Sequence, residues 1–202
     1  MKNTIIDLLQ MGVCTVKFKK VSGTERVMKA TLMEDKIPAD MRPSEVTPAA
    51  KMREDNYTGV VACWDVEADG WRSFRVDLLT SIEDPSGSKE WYLNGKLHRE
   101  EGPAIEDPSG SEYWYLNDEL HRQDGPAVEC SDGYKSWYLN GIRHREDGAA
   151  LEFPGGSKYW YLNGVEYTEE EFNKKMSAKV EMTMSKIKSL VALVGKKVKV
   201  VK

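Results

Sequence analysis

Apolar and polar residues alternate over Val13-Cys14-Thr15-Val16-Lys17-Phe18 and, after Ser22-Gly23-Thr24, again over Arg26-Val27-Met28-Lys29-Ala30-Thr31-Leu32. A period of two on both sides of a turn predicts an antiparallel hairpin with one buried face. Gly59 to Val66 and Trp71 to Val76 repeat the pattern around Asp69-Gly70 and predict a second pair. Ahead of them, Ile5, Ile6, Leu8 and Leu9 suit one or two helical turns that Gly12 ends. Residues 36–56 carry Pro38, Pro43 and Pro48 among charges and read as a loop. Four or five short strands joined by one long loop predict a small closed barrel over residues 1–83.

Beyond residue 83 the pattern becomes strict recurrence. Trp-Tyr-Leu-Asn begins at Trp91, Trp114, Trp137 and Trp160, each 23 residues after the last. A Gly precedes each Trp by four residues, and in three copies His-Arg and a Gly-Pro-Ala or Gly-Ala-Ala follow. A fixed period of this length marks a repeat array. Asn94-Gly95, Asn140-Gly141 and Asn163-Gly164 accept positive φ at both central positions of a two-residue hairpin turn, and Asn117-Asp118 is the tolerated variant. The aromatic run before each turn reads as a strand, and the stretch after it (Lys96 to His98 in the first copy) as its partner. Gly102-Pro103-Ala104 then bends the chain toward the next copy, since proline has no donor for a central ladder. One hairpin is marginal alone, so residues 84–167 are expected to stack four of them into an elongated sheet. Each copy would advance it by roughly 10 Å, with the Trp rings as core and the Tyr rings partly exposed.

The last segment, 168–202, changes period once more. Thr168-x-x-Glu171 is a capping box, and Phe172, Met176, Val180 and Met184 recur at helical spacing, so a helix should start at Glu169 and cover the open end of the sheet. Ile187, Leu190, Val191 and Val194 continue the stripe to Gly195, a natural C-terminal cap, after which 196–202 alternates like an edge strand. Met182, Met184 and the leucines also suit an oligomerisation or partner-binding element.

The order Val16-Lys17-Phe18-Lys19-Lys20, Gly23, Arg26-Val27-Met28, Ile37-Pro38, Trp64-Asp65 and Trp71-Arg72-Ser73-Phe74-Arg75 resembles the phage Sm-like β-barrel family related to WYL domains, over residues 10–83. The resemblance implies a ligand-sensing or nucleic-acid-linked barrel in a phage accessory protein. The period and the aromatic-Asn-Gly core of residues 84–166 resemble MORN-type repeats and the MORN-like arrays of phage and bacterial accessory proteins, although the His-Arg tail departs from the usual MORN glycine pattern. The expected fold is mainly β: a small Sm-like barrel, an elongated antiparallel sheet of four MORN-like hairpin repeats, and a C-terminal helix.

Charge divides along the same lines. Lys+Arg against Asp+Glu is 12 to 13 in residues 1–83, 8 to 16 in 84–166 and 9 to 4 in 167–202, which sum to the net −4 of the chain. A globally basic nucleic-acid binder is excluded. Cys14, Cys63 and Cys130 are odd in number and lack metal-ligand spacing, which fits a reducing cytoplasm, that of the host cell for a phage protein. No apolar run approaches the ~18 residues of a membrane span, so a soluble protein without membrane contact is expected.

His98, His121 and His144, each followed by Arg, invite a metal reading. Metal ligands lie ~2–2.6 Å from one ion, whereas stacked copies lie roughly 10 Å apart, and the fourth copy has Tyr167-Thr168 there. The rings are therefore expected to fix loops by hydrogen bonds. The acids lie in solvated turns without the confinement of an acid/base pair, and neither a phosphate loop nor a nucleophile elbow occurs. A non-enzymatic binding protein without a cofactor is expected. Its contact stripe would be Tyr92, Tyr115, Tyr138 and Tyr161 with Glu100, Glu101, Asp124, Glu146 and Asp147, and its partner a host or phage protein. A counter-defence inhibitor whose acidic face occludes a basic channel is the sharper form. The alternative is nucleic-acid or nucleotide binding by the barrel through Lys17, Lys19, Lys20, Arg72 and Arg75.

Overall fold

The computed structural model describes residues 2–42 and 59–199. Most of the expected 36–56 loop and residues 200–202 of the expected edge strand lie outside them. Helix α1 (Lys2–Met11) leads into strands β1 (Cys14–Lys19) and β2 (Glu25–Thr31), paired from Cys14↔Ala30 to Lys19↔Glu25. The alternation sorts the two faces as read. Cys14, Val16, Phe18, Met28 and Ala30 are buried, and Lys17 and Lys29 point the other way. Strands β3 (Val60–Asp65) and β4 (Gly70–Arg75) form the second predicted pair, joined to β2 through Ala30↔Asp65 and Thr31↔Trp64. A 3-10 turn at Val76–Leu78 then reverses the chain into β5 (Leu79–Glu83), which returns to β1.

The order β5-β1-β2-β3-β4 curls around Val16, Phe18, Met28, Val61, Cys63, Phe74, Leu79 and Ile82, with Ile5 and Leu9 of α1 buried in the same core. The Phe18 and Phe74 rings stack at 5.5 Å, so β1 and β4, with β2 and β3 between them in the order, meet across the interior.

Strand β5 is also the first strand of the array. It turns through Asp84-Pro85-Ser86-Gly87 into β6 (Lys89–Leu93), with Gly87 at φ +93° and the Asp84 carboxylate accepting from the backbone N–H groups of Ser86 and Ser88. The expected boundary at residue 83 therefore falls inside a hairpin, and one sheet continues from barrel to repeats.

Each copy holds two hairpins rather than the one expected from its Asn turn. The first copy closes with β7 (Lys96–Leu97) on β6. In the second, β8 (Ile105–Glu106) and β9 (Glu112–Tyr113) form a hairpin in the main sheet, and β10 (Tyr115–Leu116) and β11 (Glu119–Leu120) form another beside it. The strand breaks at Trp114, where the chain passes from one hairpin to the next. The third copy repeats this with β12 (Val128–Glu129), β13 (Lys135–Ser136), β14 (Tyr138–Leu139) and β15 (Ile142–Arg143). The fourth has β16 (Leu151–Glu152), β17 (Lys158–Leu162) and β18 (Val165–Tyr167). The additional hairpin turns on the Gly four residues before each Trp, which takes φ near +90° (+91° at Gly110, +95° at Gly133). The Asn turns are as predicted, with positive φ at both central residues: 52° and 74° at Asn94-Gly95, 55° and 71° at Asn117-Asp118.

Helix α2 (Glu169–Lys199) starts where its box predicts. Thr168 Oγ1 accepts from the Glu171 N–H and the Glu171 carboxylate from the Thr168 N–H. Phe172 is buried where α2 meets β17 and β18. The helix runs through Gly195 to Lys199, so the edge strand expected over 196–202 does not form at 196–199. One interior Gly costs a helix only about 1 kcal/mol, too little to end it without a strand partner. None of the described helices is long and apolar enough to cross a membrane.

Candidate functional site

The register lines side chains up in rows across the sheet. One row continues the barrel core into the array: Met28, Val16, Ile82, Glu90, Ile105, Tyr113, Val128, Ser136, Leu151 and Tyr159. The neighbouring row, on the opposite face, is charged: Glu83, Lys89, Glu106, Glu112, Glu129, Lys135, Glu152 and Lys158. Directly opposed unlike charges stabilise a sheet and like charges weaken it. Lys89, Lys135 and Lys158 therefore suit their carboxylate neighbours, whereas Glu112 stands between two carboxylates. Beside the charged row the backbone N–H groups of Trp91, Trp114 and Trp137 donate to the carbonyls of Ala104, Ala127 and Ala150. Each Trp thus lies opposite a fully buried Ala, but the four indoles are only half-buried and do not form the core expected of them.

The His-Arg pair joins consecutive copies. The backbone N–H of Asn117 donates to His98 Nδ1 (3.2 Å), that of Asn140 to His121 Nδ1 (3.1 Å) and that of Asn163 to His144 Nδ1 (3.0 Å). Nδ1 of His98 and His121 also lies 3.1 and 2.8 Å from the side-chain Oδ1 of the same asparagines, so each ring clamps the next copy's turn. The expected loop-fixing role is what the geometry shows. The arginines lie flat on the tryptophans, with Cζ 3.9 Å from the Trp91 ring for Arg99, 3.9 Å from Trp114 for Arg122 and 3.8 Å from Trp137 for Arg145. Arg99, Arg122 and Arg145 also donate to the carbonyls of Pro103, Pro126 and Ala149. These stacks went unpredicted, although the constant eight-residue step from Trp to Arg in three copies was their signal. The fourth copy has no successor to clamp, and its Thr168, at the Arg position, caps α2 instead.

Two consecutive His-Arg loops enclose a cleft of about 610 Å³. Trp137 and Leu139 line it along with Gly125 and Pro126, and Arg122, Asp124, Arg145, Glu146 and Asp147 supply its charges. Arg122 holds Asp124 at 3.2 Å and Arg145 holds Asp147 at 2.8 Å. The cleft offers an apolar, ring-bearing surface beside fixed charges of both signs.

Three of the expected contact acids, Asp124, Glu146 and Asp147, come together here. Glu100 lies apart, 3.6 Å from His98 Nε2, and Glu101 is exposed in the same loop. The carboxylate stripe is less free than expected. Glu146 is paired with Lys179 of α2 (2.5 Å), and the Lys179 ammonium holds its carboxyl below the usual glutamate range. The tyrosines are not an exposed ladder. Tyr92 is buried, Tyr115, Tyr138 and Tyr161 are half-buried, and hydroxyls bond Glu90, Arg143 and Glu166 from Tyr92, Tyr138 and Tyr161. The strand breaks at Trp114 and Trp137, whereas β6 and β17 run straight through Trp91 and Trp160.

The barrel cations divide between two strands. Lys17 pairs with Glu25 at 3.1 Å and Arg75 with Asp77 at 2.6 Å, while Arg72 donates to the Trp71 carbonyl. Lys19 ends β1 and Lys20 begins its turn. Three His, Cys, Asp or Glu side chains placed to share a metal do not occur among the described residues.

Glu90 is the one carboxylate in the core row. Burial pushes its pKa above the ordinary 4.5, and the hydrogen bond from Tyr92 only partly opposes this. A raised folded-state pKa means that the native state binds the proton more tightly, so stability falls as pH rises from 4.5 through the raised value. Glu90→Gln, which still accepts from Tyr92, should raise the melting temperature at pH 7 and flatten its pH dependence over that window, as thermal melts from pH 4 to 8 would register.

A family described as WYL_2, Sm-like SH3 beta-barrel fold, matches residues 2–80, ending before the repeats. The chain is also 36% identical over 74 residues to the "Uncharacterized 11.5 kDa protein in Gp31-cd intergenic region" of Enterobacteria phage T4, covering 37% of this chain and 69% of that protein. Solved structures yield no match.

Proposed function

Since the chain belongs to the WYL_2 family of Sm-like SH3 β-barrels, we propose that it is a phage-type accessory protein whose barrel anchors a non-enzymatic, protein-binding array. The reading rests on one observation, the cleft floored by Trp137 and Leu139 between two clamped loops. The MORN-like character of the repeats belongs to the same proposal, supported by the 23-residue period and the type I′ Asn turns. Inhibition of a host defence protein is its sharper form, motivated by the phage relative and the array's excess of 16 acids over 8 bases.

The test compares three proteins as baits in quantitative pull-downs from bacterial lysate. Partner capture by the wild type should fall at least tenfold with Leu139→Asp, which charges the cleft floor, and stay unchanged with Lys19→Glu/Lys20→Glu on the barrel. Equal capture by all three would remove the cleft from consideration. Salt-sensitive binding of single-stranded oligonucleotide, lost only in the lysine variant, would favour the barrel alternative.

A further inference from the structure

The cleft floored by Trp137 and Leu139 has a counterpart one period further on. Shifted by 23 residues, Arg122, Gln123 and Asp124 of its first wall become Arg145, Glu146 and Asp147, and its floor becomes Trp160 and Leu162. Its second wall, which begins at His144-Arg145, becomes Tyr167-Thr168. Both first walls hold the same ion pair, Arg122 to Asp124 and Arg145 to Asp147. The last cleft is bridged by α2. The helix leaves from Thr168 on the second wall, and Lys179 reaches Glu146 on the first at 2.5 Å. Phe172 is buried, Met176 is half-buried and Lys179 is ion-paired, at intervals of four and three residues, so one stripe of α2 faces the array for two turns. In β17, which α2 meets, Leu162 is 7% exposed, whereas Leu139 in the open cleft is half-buried.

We propose that the open cleft takes a basic amphipathic α-helix of the partner protein, laid across its two loops as α2 lies across the last pair. This rests on the protein-binding reading above and names the segment that the cleft recognises. The occupant comes from a different protein, because α2 of every copy of this chain is already engaged at the end of its own array. The charge of residues 84–166, 16 acids against 8 bases, favours a helix with an excess of lysine. Gln123 stands where Glu146 holds Lys179, and its amide oxygen can accept from a lysine at the corresponding place on the partner.

The probe is a fluorescent peptide of residues 171–184, stapled between positions 173 and 177, which are exposed on α2. It carries the Phe172, Met176 and Lys179 stripe and has three lysines against two glutamates. Fluorescence anisotropy should show it binding the full chain with a dissociation constant below about 100 μM. Leu139→Asp should weaken binding at least about tenfold, since it charges the apolar floor. Gln123→Glu, which recreates the acid of the last cleft, should tighten binding by about two- to fivefold, and Gln123→Lys should weaken it by as much, the size of an exposed ion pair. Gln123 is exposed, so neither change disturbs the fold. No binding at about 100 μM, or binding that ignores Leu139→Asp or the sign of the charge at residue 123, overturns the proposal. If the peptide fails while pull-down capture still depends on Leu139, the helical partner is overturned and the protein-binding cleft stands. If capture also ignores Leu139→Asp, both fall.

Discussion

Replacing Ile82 with Ala is expected to lower stability by about 2–5 kcal/mol, the usual range for emptying a fully buried aliphatic site. Ile82 is 1% exposed and stands in the core row between Val16 of the barrel and Glu90 of the first repeat. Its strand pairs with β1 on one side and β6 on the other, so the cavity opens at the junction of both parts. Barrel and array should therefore melt in one transition shifted downward. Thermal unfolding followed by Trp fluorescence, with four of the six indoles in the array, and by exchange of the barrel amides would show it. An array that melts at its original temperature while the barrel alone is weakened would mean that the shared strand does not couple them.

Replacing Arg26 with Met should cost about 2–3 kcal/mol. Removing one partner of a fully buried ion pair costs about 3–5 kcal/mol, and the one-third exposure of the Arg26 side chain reduces that figure. Its Nη2 lies 2.9 Å from Oδ2 of Asp65, whose side chain is 4% exposed and whose other oxygen accepts from the Ala68 N–H. The loss arises from stranding a carboxylate, so neutralising it should reverse most of the damage. Asp65→Asn keeps an acceptor for Ala68, and the double variant should recover about 1 kcal/mol or more relative to Arg26→Met. Urea titrations of the four proteins close the cycle, and a double variant no better than the single would show that packing of the Arg26 stem is what matters.

What the sequence made legible was whatever is local. The Asn-Gly turns and the Thr168 capping box depend on a few adjacent residues and stand where predicted. The hairpin at Gly110 was equally local but went unread, because its glycine served only as a marker of the period. The clamp from His121 to Asn140 spans 19 residues and two copies, so the sequence could indicate a structural histidine but not its partner. The cleft was out of reach for the same reason, since Pro126 and Glu146 meet only after two loops have folded. Tyr92 was misplaced because the Trp was assigned to the core: strand β6 runs unbroken through Trp91, and alternation puts Tyr92 on the core-row face with Glu90, to which its hydroxyl donates. Gly195 misled because a favourable stop signal ends a helix only when another structure competes for the residues beyond it.

The histidine clamps point one way: each ring binds the copy that follows it, and the last copy has Tyr167 in that place and hands the chain to a helix. The array thus has a defined start, a reusable middle and a terminator. A further 23-residue unit inserted between the second and third copies would meet a clamp on each side and leave both ends untouched, whereas one appended after Tyr167 would have nothing to hold it. Length is a variable that such a chain can change in whole steps, lengthening the surface while keeping the barrel and the helix as fixed end pieces.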